Sequence, residues 1–336
     1  MRVSVTIPCR NEEAYIGKCL QSIVDCNYSK DLIKVFVVDG MSEDGTRTIV
    51  RDFESQYSYI SLLDNVKKVT PFALNIGLKS DDSEVKIILG AHATVDKNFI
   101  NHSVDTLRKD PSIGCAGGVI KNVYENIVAE TIGLAMSSPF GVGNAKFRTG
   151  GKDGYVDTVA FGAYKKEVFD KAGYFDEDLV RNQDDEFNFR IGKKGFKIWF
   201  DKSIVSNYYV RGSYPKLFRQ YYQYGYWKVF VNVKHKAVTS VRQIVPLFFV
   251  LYLLAVPVVV ILPQLFQLIY ATGFVCYILG ALLFSLRQTT KITTVFSVIK
   301  VFTILHFSYG FGYLIGLYRF VLRKEVPSSK SKKTSR

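Results

Sequence analysis

Two charge-free apolar runs stand back to back in the second half of this chain, residues 244–262 and 264–286, 19 and 23 residues long. About 20 predominantly apolar residues let a helix cross a hydrocarbon core, so the pair predicts a hairpin of membrane helices turning at Pro263. Pro257 and Pro263 would break or kink a helix in water but are tolerated in a bilayer protein, where neighbouring groups satisfy the freed backbone. The other reading, buried helices of a water-soluble protein, must accommodate two adjacent uncharged runs of that length. A third stretch, 295–322, carries Lys300, His306 and Arg319 and either spans or lies in the interface.

Charge placement orients these segments. The net charge is +14, and residues 205–242 hold seven Lys or Arg and no acid, interleaved with tyrosines. Leading straight into an apolar run, that stripe points to anionic lipid headgroups and not to nucleic acid. Arg242, Arg287, Lys291 and the basic tail 323–336 all belong on the cytoplasmic side by the positive-inside tendency. Two passes meet this, with 295–322 interfacial or re-entrant, whereas three would place the tail outside. The first residues form a β-type run, 2–7, with no basic and long apolar leader, so the domain ahead of the membrane is expected in the cytoplasm. Five cysteines, an odd number without metal-ligand spacing, are expected to be reduced.

Short apolar runs at 2–7, 34–38, 59–63 and 85–89 alternate with helical patterns near 15–23, 44–54 and 71–79. Repeated β-α units predict an α/β fold with a mainly parallel open sheet, whose ligands bind beyond the carboxyl ends of the strands. Chemistry is therefore expected at 8–13, 39–46 and 90–96. Residues 121–155, rich in Gly and Ser, are expected to form loops over the site, and a second compact block follows over 156–209. No Gly-x-x-x-x-Gly-Lys-Ser/Thr and no strand-following Gly-x-Gly-x-x-Gly occurs, which excludes P-loop and dinucleotide-binding designs.

The first strand end is Ile7-Pro-Cys-Arg-Asn-Glu-Glu13, an ordinary capped helix start if it stood alone. The next is Val37-Val-Asp-Gly-Met-Ser-Glu-Asp-Gly-Thr46, where Asp39 can face a base or ribose hydroxyl. With Pro71-Phe-Ala-Leu-Asn-Ile-Gly-Leu78 and the acidic Asn182-Gln-Asp-Asp-Glu186, these segments resemble a family-2 glycosyltransferase of the GT-A fold. Ala135-Met-Ser-Ser-Pro-Phe-Gly-Val-Gly143, Val156-Asp-Thr-Val-Ala-Phe-Gly-Ala-Tyr164 and Leu179-Val-Arg-Asn-Gln-Asp-Asp-Glu-Phe-Asn-Phe-Arg190 resemble the succinoglycan-type enzymes of exopolysaccharide synthesis. The resemblance runs from residue 1 to about 230, with Ser308-Tyr-Gly-Phe-Gly-Tyr313 fitting membrane-bound members.

The resemblance implies a nucleotide-sugar donor and a lipid-linked or membrane-proximal acceptor. Pro8, Arg10, Glu12 and Asp39 would line the nucleoside pocket with Asn75 close by, and Ala91 and His92 would complete the donor side. Asp184 would be the base that deprotonates the acceptor hydroxyl, with Asp185 able to raise its pKa as a neighbouring carboxylate does. The bland alternative for this triplet is a solvated acidic loop. Phe161, Gly162, Gln183, Arg219, Gln220 and Trp227 would face the acceptor. Phe218-Arg-Gln-Tyr-Tyr-Gln-Tyr-Gly-Tyr-Trp-Lys228 also reads as an interfacial aromatic and basic belt, and both roles can hold at once.

One departure matters. After the fourth strand the family carries an Asp-x-Asp-like element, Asp-x-His in similar members, which holds a divalent metal against the donor diphosphate. Here the chain has Gly90-Ala-His92, leaving His92 as the metal ligand or phosphate contact for Mn²⁺ or Mg²⁺. Weaker metal binding, a metal held mainly by His92 and phosphate, or an inactive nucleotide-sugar-binding scaffold would follow; intact Asp39 and Asp184 favour activity.

The expected organisation is a glycosyltransferase domain at 1–235, with a nucleotide-sugar half at 1–120 and an acceptor half with interfacial helix at 121–235. A membrane segment at 236–322 and the basic tail at 323–336 follow. The expected reaction is inverting transfer from a nucleotide-diphosphate sugar, uridine by family default, to a polyprenyl-diphosphate-linked saccharide. An enzyme using polyprenyl phosphate itself is the nearest alternative, and the absent Gln-x-x-Arg-Trp disfavours a processive synthase.

Overall fold

Strands β1 (Val3–Cys9), β2 (Ile33–Asp39), β3 (Ile60–Asp64) and β4 (Val85–Ile88) are short Val- and Ile-rich runs joined by helices Ile16–Val24, Thr46–Gln56 and Thr70–Lys79. β1 and β2 are buried at nearly every position, as parallel strands covered on both faces are. This computed structural model describes residues 1–210, 212–238 and 241–327. Arg211 of the basic stripe and 328–336 of the expected tail therefore lie outside the described residues.

The remaining strands are β5 (Ala93–Val95), β6 (Ile113–Val123), β7 (Gly154–Val156), β8 (Ala163–Lys165) and β9 (Lys197–Tyr209). All nine form one sheet in the order β3-β2-β1-β4-β8-β6-β9-β5, with β7 also on β9. β3, β2, β1 and β4 are mutually parallel, as expected. Beyond them the sheet is mixed, because β8 runs antiparallel to both β4 and β6. The strand order reverses at β1, which lies between β2 and β4, and a reversal of that kind opens a crevice beyond the strand ends.

The chain divides into two compact units, Met1–Val123 with Ala145–Tyr209, and Tyr124–Asn144 with Val210–Arg336. The first holds the sheet. One side of it is an aliphatic core of Val3, Val5, Ile7, Val35, Val37 and Ile87. Another is aromatic, where Phe187 lies 5.3 Å from Phe169 and 4.6 Å from Phe175 between ring centres.

The second unit is helical and corrects three expectations. Residues 127–143 are not loops over the site. They form helices Ile127–Met136 and Pro139–Val142 of this unit, where the Phe140 carbonyl lies 2.7 Å from His306 Nε2. The helix Tyr214–His235, expected with the sheet, packs against Ile292–Gly316. Gly225 meets the Tyr309 carbonyl and Gly312 the Tyr222 carbonyl so closely that a Cβ on either would clash, the close backbone approach that small residues permit between membrane helices.

The third correction concerns the spans. The run 244–262 is split into Val245–Leu254 and Val256–Val259, because Pro257 has no N–H to continue the ladder. Among the described residues, the helices long and apolar enough to cross a membrane are Gln264–Leu286 and Ile292–Leu322. The charged residues that made 295–322 ambiguous have partners: Lys300 lies 4.5 Å from the centre of the Tyr214 ring, and Arg319 lies 3.9 Å from Glu325.

Candidate active site

The loops after β1 and β2 brace each other through capping side chains. Ser42 Oγ accepts from the Asn11 amide at 2.8 Å, Thr46 Oγ1 from the Glu12 amide at 2.8 Å, and Glu13 Oε2 from the Gly45 amide at 2.7 Å. Asn11 takes a positive φ of 54°, turning the chain sharply so that the side chain of Glu12 stays largely buried, 11% exposed. Burial pushes the Asp44 carboxyl up, but hydrogen bonds from Thr46 and the Glu13 amide outweigh it and hold the group below its ordinary value. Pro8, one residue before the end of β1, is half-buried, and Arg10 just beyond the strand has an enclosed Nε without a hydrogen bond and an Nη2 4.0 Å from Glu43.

Asp39, at the end of β2, is 0% exposed. Its carboxylate accepts from Ser42 Oγ at 2.5 Å, the Ser42 amide at 3.0 Å and Arg47 Nη1 at 2.7 Å, and Arg47 also reaches Asp64 at 2.8 Å. Asp39 thus holds Ser42 and Arg47 at the end of β2. Arg47 was not anticipated; an Arg in the first turn after a strand-end Asp was the available signal.

Across the crevice, Ala91 is buried and offers only its backbone, while His92 Nδ1 lies 3.5 Å from Glu12 Oε1. The imidazole packs edge-on to Tyr208, ring centres 5.0 Å apart. His92 Nδ1 is enclosed and makes no hydrogen bond. On the protein side this donor set amounts to one imidazole and the Glu12 carboxylate, which do not close a metal site by themselves. Mg²⁺ demands near-octahedral oxygen ligands, and among the described residues no three His, Cys, Asp or Glu come together.

Gly90 is covered by Phe161, whose Cε1 lies 3.0 Å from where a Cβ would stand. Phe161 holds a positive φ of 50°, and the next carbonyl, Gly162, accepts from the Ile88 amide at 3.0 Å. This segment thus closes onto the end of β4. Gly162 has no free face, since a Cβ would lie 2.9 Å from both Cys115 and Tyr164. Burial first, then Cys115 and the charge of Asp184, push the Tyr164 hydroxyl well up.

Asp184, Asp185 and Glu186 occupy the first turn of helix Gln183–Lys193, where the macrodipole favours anions. They are not equivalent. Glu186 is buried and paired with Arg190 through Nε at 3.0 Å and Nη2 at 2.8 Å, and Arg190 also donates to the Ala172 and Tyr174 carbonyls. That clamp and the buried Phe187 fix the helix so that Asp184 is exposed and Asp185 half-buried. Gln183 Oε1 is enclosed without a partner.

Two further expected site residues are buried. Asn75 donates to the Phe175 carbonyl and to Glu177, each at 2.9 Å, and accepts from the Phe175 amide at 3.0 Å, so burial commits its amide to that loop and not to a nucleoside. Trp227 is 0% exposed among Tyr226, Phe230 and Phe320, a core residue of the second unit. Arg219 in the same helix is exposed, and Gln220 donates to Tyr224 at 2.8 Å.

Residues 4–173 match the model of glycosyl transferase family 2. The dolichyl N-acetyl-alpha-D-glucosaminyl phosphate 3-beta-D-2,3-diacetamido-2,3-dideoxy-beta-D-glucuronosyltransferase of Methanococcus voltae is 32% identical over 66% of this chain and 71% of its own length. The succinoglycan biosynthesis protein ExoA of Rhizobium meliloti is 30% identical over 72% and 74%. Among solved structures, the mannosyltransferase PcManGT of Pyrobaculum calidifontis, in complex with GDP-Man and Mn²⁺, superposes with a TM-score of 0.64 at 18% identity over 94% of this chain and 87% of that one. TarS of S. aureus, residues 1–349, gives 0.53 at 16% identity, over 95% and 91%. The GT-A fold, the match over half the chain and the two relatives agree: this enzyme belongs to glycosyl transferase family 2 and stands close to its exopolysaccharide-type members.

Proposed function

We propose that the chain transfers a sugar, with inversion, from a nucleotide-diphosphate donor such as a UDP-sugar to a polyprenyl-diphosphate-linked saccharide at the cytoplasmic face of the cell membrane. The observation that carries this is the switch-point crevice, where the loops after β1 and β4 meet at Glu12 and His92. Pro8 and Arg10 flank the nucleoside, Asp39 positions Ser42 and Arg47 beneath it, and Ala91 and His92 meet the diphosphate. Asp184, with Asp185 beside it, takes the proton of the acceptor hydroxyl as that oxygen attacks the anomeric carbon. Phe161, Gly162 and Gln183 shape the neighbouring wall. Mn²⁺ is named with the Pyrobaculum enzyme; the donor atoms here do not build such a site, and no step is routed through a metal.

The second unit supports a membrane location. Gln264–Leu286 leaves most of its apolar surface uncovered, including Leu265, Leu268 and Ile269, each at least 60% exposed, whereas a core helix of a soluble protein buries that surface. Arg219, Gln220 and the basic stripe would meet anionic headgroups and the acceptor's phosphates. The Methanococcus relative is named for an acceptor that already carries a sugar on a lipid, which favours extension of a lipid-linked saccharide.

The test incubates detergent-purified protein with labelled UDP- and GDP-sugars and either a polyprenyl-diphosphate-linked saccharide or polyprenyl phosphate. A saccharide one sugar longer is the expected product. A lipid with one sugar on one phosphate supports the polyprenyl-phosphate reading instead. Donor binding without transfer to either sinks the proposal in favour of a scaffold.

A further inference from the structure

Arg148, on the helical turn Lys146–Thr149, is half-buried and has no part in the machinery above. Its guanidinium carbon lies 5.5 Å from the centre of the Tyr208 ring, and its Nη1 is enclosed without a hydrogen bond. Tyr208 is the residue whose ring meets His92 at 5.0 Å. One tyrosine thus stands between the enclosed Arg148 Nη1, which has no hydrogen bond, and His92, whose Nδ1 lies 3.5 Å from Glu12, two residues beyond the position where Gly90 stands in place of a carboxylate. An enclosed charged donor left unpaired is costly and calls for an explanation. The ring contact leaves Nη1 without an acceptor. A guanidinium N–H donates strongly to a phosphate oxygen.

Resting on the transfer reaction above, we propose that Arg148 binds the donor's diphosphate and supplies the counter-charge that metal-bound chemistry at position 90 would otherwise bring. The acceptor oxygen forms a bond to the anomeric carbon and its proton passes to Asp184. The bond from that carbon to the diphosphate oxygen breaks, and its electron pair stays on the leaving diphosphate, where Arg148 offsets the added charge. A fixed cation aimed at developing charge lowers the barrier without reorganisation.

The test is calorimetry on the full-length protein in detergent, titrated with UDP, uridine, GDP and guanosine, in EDTA and in Mn²⁺. Wild type should bind one diphosphate in EDTA. Arg148→Ala should weaken that binding about 10- to 100-fold, the scale of a charge-assisted hydrogen bond, and leave the nucleoside's affinity unchanged. Arg148→Lys should recover part of the loss, and Arg148→Gln, which keeps the packing on Tyr208, should not. Unchanged diphosphate affinity, an equal loss for nucleoside and diphosphate, or binding by wild type only with Mn²⁺ overturns the role of Arg148 while leaving a nucleotide-using enzyme. Wild type that binds no nucleoside diphosphate overturns the transfer reading itself and this inference with it.

Discussion

The ring of Phe161 occupies the space that a side chain at position 90 would need, its Cε1 3.0 Å from the Cβ that Gly90 lacks. The two residues are therefore a coupled pair. A left-handed backbone at Phe161 costs on the order of 1 kcal/mol for an L-residue, and neighbouring sheet bonds hold it. Placing a carboxylate there with Gly90→Asp should destabilise the protein by about 1–3 kcal/mol, the usual cost of overpacking, and should not create Mn²⁺-dependent nucleotide binding. Combining it with Phe161→Ala should relieve the clash and produce that dependence. Calorimetry with and without Mn²⁺ on both variants checks this, and a metal-responsive single variant would refute the coupling.

Asp184→Asn keeps the shape of the helix start and removes the base. Transfer should fall by about 10²- to 10⁴-fold, the range for a positioned general base, with nucleotide affinity unchanged. Steady-state rates on the lipid-linked acceptor and a parallel nucleotide titration measure both. If Asp185→Asn carries the loss instead, the proton goes to the half-buried neighbour.

Glu186 looks in the sequence like a third acidic candidate, yet its function is structural. With Arg190 it clamps the helix to the Ala172 and Tyr174 carbonyls. Glu186→Gln should cost about 3 kcal/mol, as breaking one side of a buried pair does, read as a lower denaturant midpoint. An unchanged midpoint would mean that Phe187 alone holds the register.

The sequence was most legible where local pattern and burial agree. The Val- and Ile-rich strands and their crossover helices sit close to their expected places because parallel strands buried on both faces need continuous apolar runs. β6 was missed because its stretch Ile113-Gly-Cys-Ala-Gly-Gly has none of the β-branched alternation that marks a strand. The loop expectation for 127–143 failed for a related reason: Gly and Ser there serve close helix packing and capping. Among site residues, strand-end positions were legible and the fate of their side chains was not. Whether Asn75 or Trp227 faces a ligand or a partner is decided by residues far away in the chain, Phe175 for Asn75 and Phe320 for Trp227. Arg148 was invisible because its significance comes from Tyr208, 60 positions on.

Asp201 provides a pH signature for the first unit. Its side chain is 5% exposed and accepts from Lys109 at 2.5 Å, Ser203 Oγ at 2.6 Å and Thr106 at 2.9 Å, tying helix Phe99–Arg108 to β9. Burial alone would raise its pKa, but these bonds outweigh it and hold the carboxyl well below its usual range. A folded-state pKa below the unfolded one means that the native state resists protonation. The stabilisation is therefore complete above the unfolded value of about 4 and is lost as pH falls from there through the folded value. Asp201→Asn should cost about 2–3 kcal/mol at pH 7, the scale of lost charge-assisted bonds, and flatten the fall of the melting temperature between pH 4 and lower values. Thermal unfolding of both proteins across that range measures it. Parallel acid limbs would show that other carboxylates govern acid stability.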